Sequence, residues 1–187
     1  LQLSGSRRRP AAKQGGTTND FFRPSPQNLL RRDGFFSVPD EGEGRHKVKP
    51  IRVLAILVYN VVAVRLPVSN SRYSFGARRL RAFCARHMLA ACGQGVNVER
   101  HARFGRGVTL GNHSGIGVNA SVGADTHIGN DVMMGPDCLI YTTMHRYDRT
   151  DVPMRTQGYT PVAPVEIQDD CWIGSRVTIL PGVTLGR

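Results

Sequence analysis

The sequence predicts an all-β solenoid built from hexapeptide coils and preceded by a helical segment. Six glycines recur at intervals of six residues from Gly105 to Gly135, and each of them directly follows an apolar residue. A small or β-branched residue stands four places after each apolar residue, from Val108 to Cys138. Neither the period of a helix nor that of a strand produces this pattern. A turn repeated every six residues does, with the apolar residue pointing into a narrow core and the glycine relieving the turn.

The hexad register also predicts a long excursion from the coil. Three hexads form one triangular coil, so residues 18 apart should stack in columns. The register runs from Val98 to Ile140 and resumes at Ile167, and the 27 positions from Ile140 to Ile167 are not a multiple of six. Residues 141–165 are therefore expected to leave the coil. A loop of this length inside a compact solenoid is usually functional.

Two segments precede the solenoid. Residues 1–48 are rich in arginine, glycine, serine, proline and glutamine without apolar periodicity, and we expect a largely disordered basic tail there. Residues 49–94 are expected to be a helical segment, with helices over about 51–66 and 74–91. In the second helix an apolar stripe of Phe75, Leu80, Phe83, Cys84 and Met88 is expected opposite the arginines. The solenoid domain then spans 95–187.

The charge of the chain is strongly positive, at +11 with a pI of about 10.4. Such a charge suggests nucleic acid or an anionic membrane as a partner. Because the basic residues are dispersed and no aromatic residues are interleaved with them, we expect no nucleic-acid site, only a solvated tail and a charged helix face. The apolar stretch 53–64 is shorter than the roughly 20 residues of a membrane span, which favours a buried helix. Peripheral membrane contact is the minor alternative.

The cysteines indicate a reducing compartment. Cys84, Cys92, Cys138 and Cys171 form no CxxC pair, and the last two stand at the small-residue position of the hexad. Cys138 and Cys171 are interpreted as reduced core residues, which favours a cytoplasmic protein, with the inner face of the membrane as a second location.

Five motifs accompany the hexads, namely VMMGPD at 132–137, TMHRYD at 143–148, MRTQG at 154–158, DCWIGS at 170–175 and LPGVTLG at 180–186. With these motifs, the chain resembles the hexapeptide-repeat acyltransferases with a left-handed β-helix over roughly residues 52–187. It is most similar to the O-acetyltransferases of polysaccharide and exopolysaccharide biosynthesis, the colanic-acid type. The maltose, galactoside and nodulation-factor acetyltransferases are further relatives.

The resemblance implies a homotrimer that binds acetyl-CoA between neighbouring β-helices. Acetyl-CoA would be a co-substrate, and neither a metal nor a tightly bound cofactor is implied. The acetyl group would pass directly to a hydroxyl of a sugar or polysaccharide precursor. His145, at the start of the excursion, is the implied general base, and imidazole, with an ordinary pKa of about 6.5, suits that role.

Other site residues follow from the same resemblance. Trp172 matches a tryptophan near the acyl-donor cleft, and packing against a neighbouring subunit is the alternative. Gly174 and Ser175 match positions that border the pantetheine arm, although Gly174 is also simply a hexad glycine. Three charged residues of the excursion could orient His145 or bind the acceptor, or could instead form loop salt bridges or solvated charges: Arg146, Asp148 and Arg149.

Three alternative functions are considered. Relatives continue for at least another coil beyond the position of Arg187, so we expect a domain truncated at its C-terminus, and an inactive or fragmentary subunit is the main alternative. A zinc enzyme of the γ-carbonic anhydrase type would use His127 and His145, one coil's length apart, but no close histidine pair supplies the remaining ligands. An ice-binding scaffold would need ranks of threonine on one face, which the hexads lack.

Overall fold

The computed structural model describes residues 49–187, and the tail predicted over 1–48 lies outside the described residues. The elements run in the order α1 (Pro50–Val61), a 3₁₀ turn (Ala63–Arg65), α2 (Ala77–Met88), β1 (Ala91–Cys92), β2 (Asn97–Val98), β3 (Arg103–Phe104), β4 (Thr109–Leu110), β5 (Gly115–Ile116), β6 (Ser121–Val122), β7 (Thr126–Ile128), β8 (Met133–Met134), β9 (Leu139–Ile140), a 3₁₀ turn (Met154–Thr156), β10 (Val165–Ile167), β11 (Trp172–Ile173), β12 (Thr178–Ile179) and β13 (Thr184–Leu185).

Both helices are shorter than the sequence predicts. Pro50 occupies the first turn of α1, where its fixed φ is compatible with a helix. Before Pro67, Leu66 takes the extended conformation that a following proline favours, and the helical backbone ends there. Gly76, with a φ of +77°, sets the start of α2, and the extended backbone at Leu89 ends it.

The burial of the helices also differs from the prediction. Helix α1 was expected to be buried, yet large apolar side chains on it are exposed, among them Leu54 and Leu57. In the predicted stripe of α2, Phe75 lies before the helix and is 88% exposed, and Phe83 is about half exposed. Arg81, by contrast, is completely buried.

The strands form the three faces of a parallel β-helix. The first face contains β1, β4, β7, β10 and β13 in that order. The second contains the pairs β2–β5 and β8–β11, and the third contains β3, β6, β9 and β12. The predicted solenoid fold with an N-terminal helical segment is confirmed. It begins earlier than residue 95, because Ala91 and Cys92 already pair with β4.

The core follows the hexad register. The apolar residue before each glycine and the small residue four places later both point inward, and the small residues from Val108 to Cys138 are fully buried. All four cysteines are free, with Cys84, Cys138 and Cys171 buried and Cys92 half-buried.

The hexad glycines serve stacking rather than the turn itself. A Cβ at Gly105 would lie 2.7 Å from the backbone nitrogen of Ala124 in the next coil, so only glycine permits this approach. Left-handed φ values occur two residues later instead, at Asp125, Asp131 and Asp137 among others. Asparagine and aspartate tolerate that conformation better than most residues. The prediction that the hexad glycine relieves the turn was therefore wrong.

Arg81 connects the helical segment to the first coil. Its guanidinium donates to the carbonyl oxygens of Val98 at 2.6 Å and Pro67 at 3.0 Å. It also donates to Ser69 Oγ at 3.1 Å and pairs with Glu99 Oε2 at 3.3 Å. Burial lowers the pKa of Arg81, whereas the charge of Glu99 opposes that shift. Every donor direction of the guanidinium is thus used to join α2, the 66–69 loop and β2.

Candidate functional site

The predicted excursion leaves the β-helix at the corner between the third and first faces, after β9, and returns at β10. Coil stacking continues across it, since Asn112 N–H donates to Asn130 Oδ1 18 residues on, and Asn130 N–H donates to Asp169 Oδ1 39 residues on. The β-helix is therefore a rigid base from which residues 141–164 project, one residue fewer than predicted because Val165 already pairs with Thr126 in β10.

A short antiparallel hairpin fixes the backbone of His145. His145 forms an antiparallel bridge with Tyr159. On either side, Thr160 N–H donates to the Met144 carbonyl at 2.8 Å, and Arg146 N–H donates to the Gly158 carbonyl at 3.0 Å. The main chain of His145 is thus held in place although it lies in a loop.

The His145 side chain is exposed and lies on an aromatic ring. Its ring centroid lies 4.2 Å from that of Tyr159, with an angle of 32° between the planes. Within residues 49–187 no hydrogen bond occupies either imidazole nitrogen. The contact with Tyr159 limits rotation of the ring while both nitrogens remain open to a ligand, an arrangement that suits proton transfer at a bound hydroxyl.

The charged residues of the excursion pair with one another. Arg146 donates to both carboxylate oxygens of Asp148, at 3.1 and 3.0 Å, and Arg149 pairs with Asp151 in the same way. The hydrogen bond from Arg146 lowers the pKa of Asp148. Of the predicted alternatives, the salt bridges within the loop are the ones present. Binding of an acceptor by these residues stays a prediction.

The excursion is closed further by Gln157. Its amide nitrogen donates to the carbonyl of Arg149 at 2.8 Å, and its side-chain oxygen accepts from the N–H of Arg149 at 3.1 Å. These paired bonds join the two arms of the loop, so the loop carries its own internal frame. Sequence reasoning did not single out Gln157, although it stands in the MRTQG motif.

The residues predicted to bind the acyl donor lie on a different part of the three-faced β-helix. Trp172 projects from β11 on the second face beside its register partner Met133, and the two side chains are 80% and 64% exposed. Gly174 and Ser175 follow at the corner between the second and third faces, and a Cβ at Gly174 would meet nothing within 4 Å. Within one chain the third face separates this corner from the one that carries His145. A single chain therefore does not bring the two groups together.

Three polar side chains lie in a line on the first face, and the sequence did not lead us to predict this line. Thr109 Oγ1 lies 3.1 Å from His127 Nδ1, and His127 Nε2 lies 3.8 Å from Glu166 Oε1. The 18-residue spacing of Thr109 and His127 is the sequence feature that could have indicated their contact. His127 thus belongs to a strand face and His145 to the excursion, and residues 49–187 contain no group of three or more side chains able to hold a metal ion.

Comparison with known proteins gives a consistent assignment of the fold. The chain is 44% identical over 52 residues to "Putative acetyltransferase YJL218W" of Saccharomyces cerevisiae, a match covering 28% of this chain and 25% of the relative. The hexapeptide-repeat acetyltransferase VCA0836 of Vibrio cholerae, solved with acetyl coenzyme A, superposes with a TM-score of 0.54 at 26% identity, covering 74% of this chain and 69% of that one. The chain has the hexapeptide-repeat fold of these acetyltransferases.

The resemblance expected from the motifs is thereby confirmed, and with it the left-handed β-helix. A galactoside acetyltransferase solved with coenzyme A shares the hexapeptide-repeat fold, with a TM-score of 0.52 at 23% identity over 80% of this chain and 70% of that one. No family model matches. The chain spans a quarter of the length of its yeast relative.

No helix within residues 49–187 is long and apolar enough to cross a membrane.

Proposed function

We propose that the protein transfers an acetyl group from acetyl-CoA to a hydroxyl of a sugar or polysaccharide precursor, with His145 as the general base. Two observations support the proposal. The fold is shared with an acetyltransferase solved with acetyl coenzyme A, and the excursion of this chain presents an imidazole whose backbone and ring plane are held by Tyr159. The acceptor class follows only from the motifs.

The proposed reaction needs one proton carrier. The acceptor O–H gives its proton to the neutral imidazole while its oxygen attacks the thioester carbonyl carbon, forming a tetrahedral oxyanion. Collapse of that intermediate breaks the carbon–sulfur bond, and the imidazolium returns the proton to the coenzyme A sulfur. The products are an acetyl ester and a free thiol, and general-base assistance of this kind is worth about 10²–10⁴-fold. Backbone N–H groups are suitable donors to the oxyanion.

The observation that favours a site between copies is the separation of the predicted residues on one chain. His145 lies at one corner of the β-helix. The third face separates it from the residues predicted to bind the acyl donor, namely Trp172, Gly174 and Ser175. In a cyclic homotrimer one surface of each copy packs against a different surface of the next, so residues that are separated on one chain can meet between copies. We therefore assign the site to the cleft between copies, with His145 from one and the donor-binding residues from its neighbour.

The test uses a pair of matched histidine substitutions. His145→Asn removes the base and should lower the rate of coenzyme A release from acetyl-CoA with sugar acceptors by about 10²–10⁴-fold. His113→Asn is the control, because His113 is exposed at a different corner and has a left-handed φ of 59° that asparagine also accepts. Alkali-labile acetyl product identifies an ester rather than an amide.

Two outcomes would count against the proposal. A His145→Asn protein that keeps the rate of the parent chain would refute the role of the base. A folded parent chain that releases no coenzyme A with any sugar or amine acceptor would favour the alternative of an inactive or fragmentary β-helix subunit.

A further inference from the structure

Helix α1 is apolar on two opposite sides. On its inner side Ala55 and Tyr59 are buried, and the Tyr59 hydroxyl donates to the carbonyl of Ala102 at 2.7 Å. On its outer side four apolar residues share one face at positions i, i+1, i+4 and i+8, and their exposed fractions are 47–64%: Val53, Leu54, Leu57 and Val61. A helix that is apolar all round normally lies in a protein core or in lipid. Within residues 49–187, nothing covers the outer side.

The charged residues of the segment that carries this face are all basic. Residues 44–98 contain no aspartate or glutamate, whereas eight lysines and arginines fall between Lys49 and Arg86. Three of them, Arg78, Arg79 and Arg86 of α2, line a recess of about 290 Å³. Helices α1 and α2 pack on each other, so these charges belong to the same helical segment as the apolar face.

We infer that α1 and α2 dock on the surface of an anionic lipid bilayer. The outer face of α1 enters the boundary between headgroups and acyl chains, and the arginines of α2 attract anionic lipid. A helix of 12 residues is about 18 Å long, so it lies in the plane of the interface rather than across it. This combination of an apolar face with flanking cations is the one that interfacial helices use.

A second copy of the chain is the less suitable occupant of the same face. Pairing α1 with α1 would bring two segments together that hold basic residues and no acidic ones, and like charges at such an interface repel. Anionic lipid satisfies both the apolar face and the charge. The inference does not depend on acetyl transfer, so its test uses no activity.

The test measures co-sedimentation of the full chain with lipid vesicles. We expect binding to vesicles that contain phosphatidylglycerol, little binding to pure phosphatidylcholine, and weakening by salt. The double substitution Leu54→Gln with Leu57→Gln should lower the vesicle partition coefficient at least tenfold, because the transfer free energy of about two buried leucine side chains is lost. Val162→Gln with Leu180→Gln removes apolar groups of similar exposure elsewhere and should change little.

The charge contribution is tested separately. Arg79→Gln with Arg86→Gln should weaken binding by about 30-fold, since each cation near an anionic surface contributes about fivefold. Arg106→Gln with Arg176→Gln removes the same charge from exposed β-helix corners and should weaken binding much less.

Three results would overturn the inference. The full chain could fail to bind anionic vesicles. Binding could be equally sensitive to both leucine and control pairs. Alternatively, Leu54→Gln with Leu57→Gln could change the molecular mass in analytical ultracentrifugation, which would place α1 in an interface between copies.

Discussion

Replacing Arg81 with methionine removes a buried set of polar contacts between the helical segment and the first coil while keeping an unbranched apolar stem. The substitution deletes hydrogen bonds to Val98, Pro67 and Ser69, and it leaves Glu99 without its cation. The Glu99 side chain is only 16% exposed, so its charge is largely removed from water. Removing one partner of a buried ion pair costs about 3–5 kcal/mol.

That loss is large compared with the total stability of about 5–15 kcal/mol typical of a domain. With a urea m-value of about 2 kcal/mol/M, Arg81→Met should lower the unfolding midpoint by about 2 M, measured by circular dichroism at fixed protein concentration. Arg79→Met is the control, because Arg79 is exposed on the same helix and surface changes usually stay within about 0.5 kcal/mol. If both variants unfold at the same midpoint, Arg81 does not hold the segments together.

Two further predictions concern stability. Burial would raise the pKa of Glu99, but hydrogen bonds from Asn97 and Ser69 and the charge of Arg81 outweigh it and hold that pKa below its ordinary value of 4.5. The stabilisation by ionised Glu99 is therefore complete above that value and is lost as pH falls through the lower folded-state pKa. In acid unfolding curves, Glu99→Gln should therefore make the loss of stability with falling pH less steep. An unchanged slope would contradict this. Gly117→Ala should lower the free energy of unfolding in urea by at least about 1–3 kcal/mol, because the added Cβ meets the Gly135 backbone. Gly174→Ala is the control and should cost little, because a Cβ at Gly174 meets nothing within 4 Å. Equal losses would refute the stacking role of Gly117.

The sequence predicts the β-helix well because each hexad repeats the same physical requirement. An inward apolar residue and a glycine under the next coil recur so often that no other regular structure fits, and the failure of the register also locates the excursion that carries His145. The start of the β-helix at Ala91 was missed because β1 has no preceding hexad to define its register.

Burial in the helical segment was harder to predict. Arg81 was grouped with the exposed arginines, because its helix position alone does not reveal that the 66–69 loop folds over it and supplies carbonyl oxygens. The apolar composition of α1 suggested a core helix, yet the small first coil covers only one of its sides. In the excursion, residue types could not decide whether Asp148 would bond His145 or Arg146, since both are within reach in sequence.

Complementation between two inactive variants tests directly whether the site is shared between copies. His145→Asn and Trp172→Ala chains are each expected to be inactive as homotrimers. If the site lies between copies, mixed trimers combine an intact His145 from one chain with an intact Trp172 from its neighbour, and random mixing at equal amounts should restore about a quarter of the parent rate of coenzyme A release. Mixed trimers that form, as shown by differently tagged chains, but remain as inactive as either homotrimer would contradict a site shared between copies.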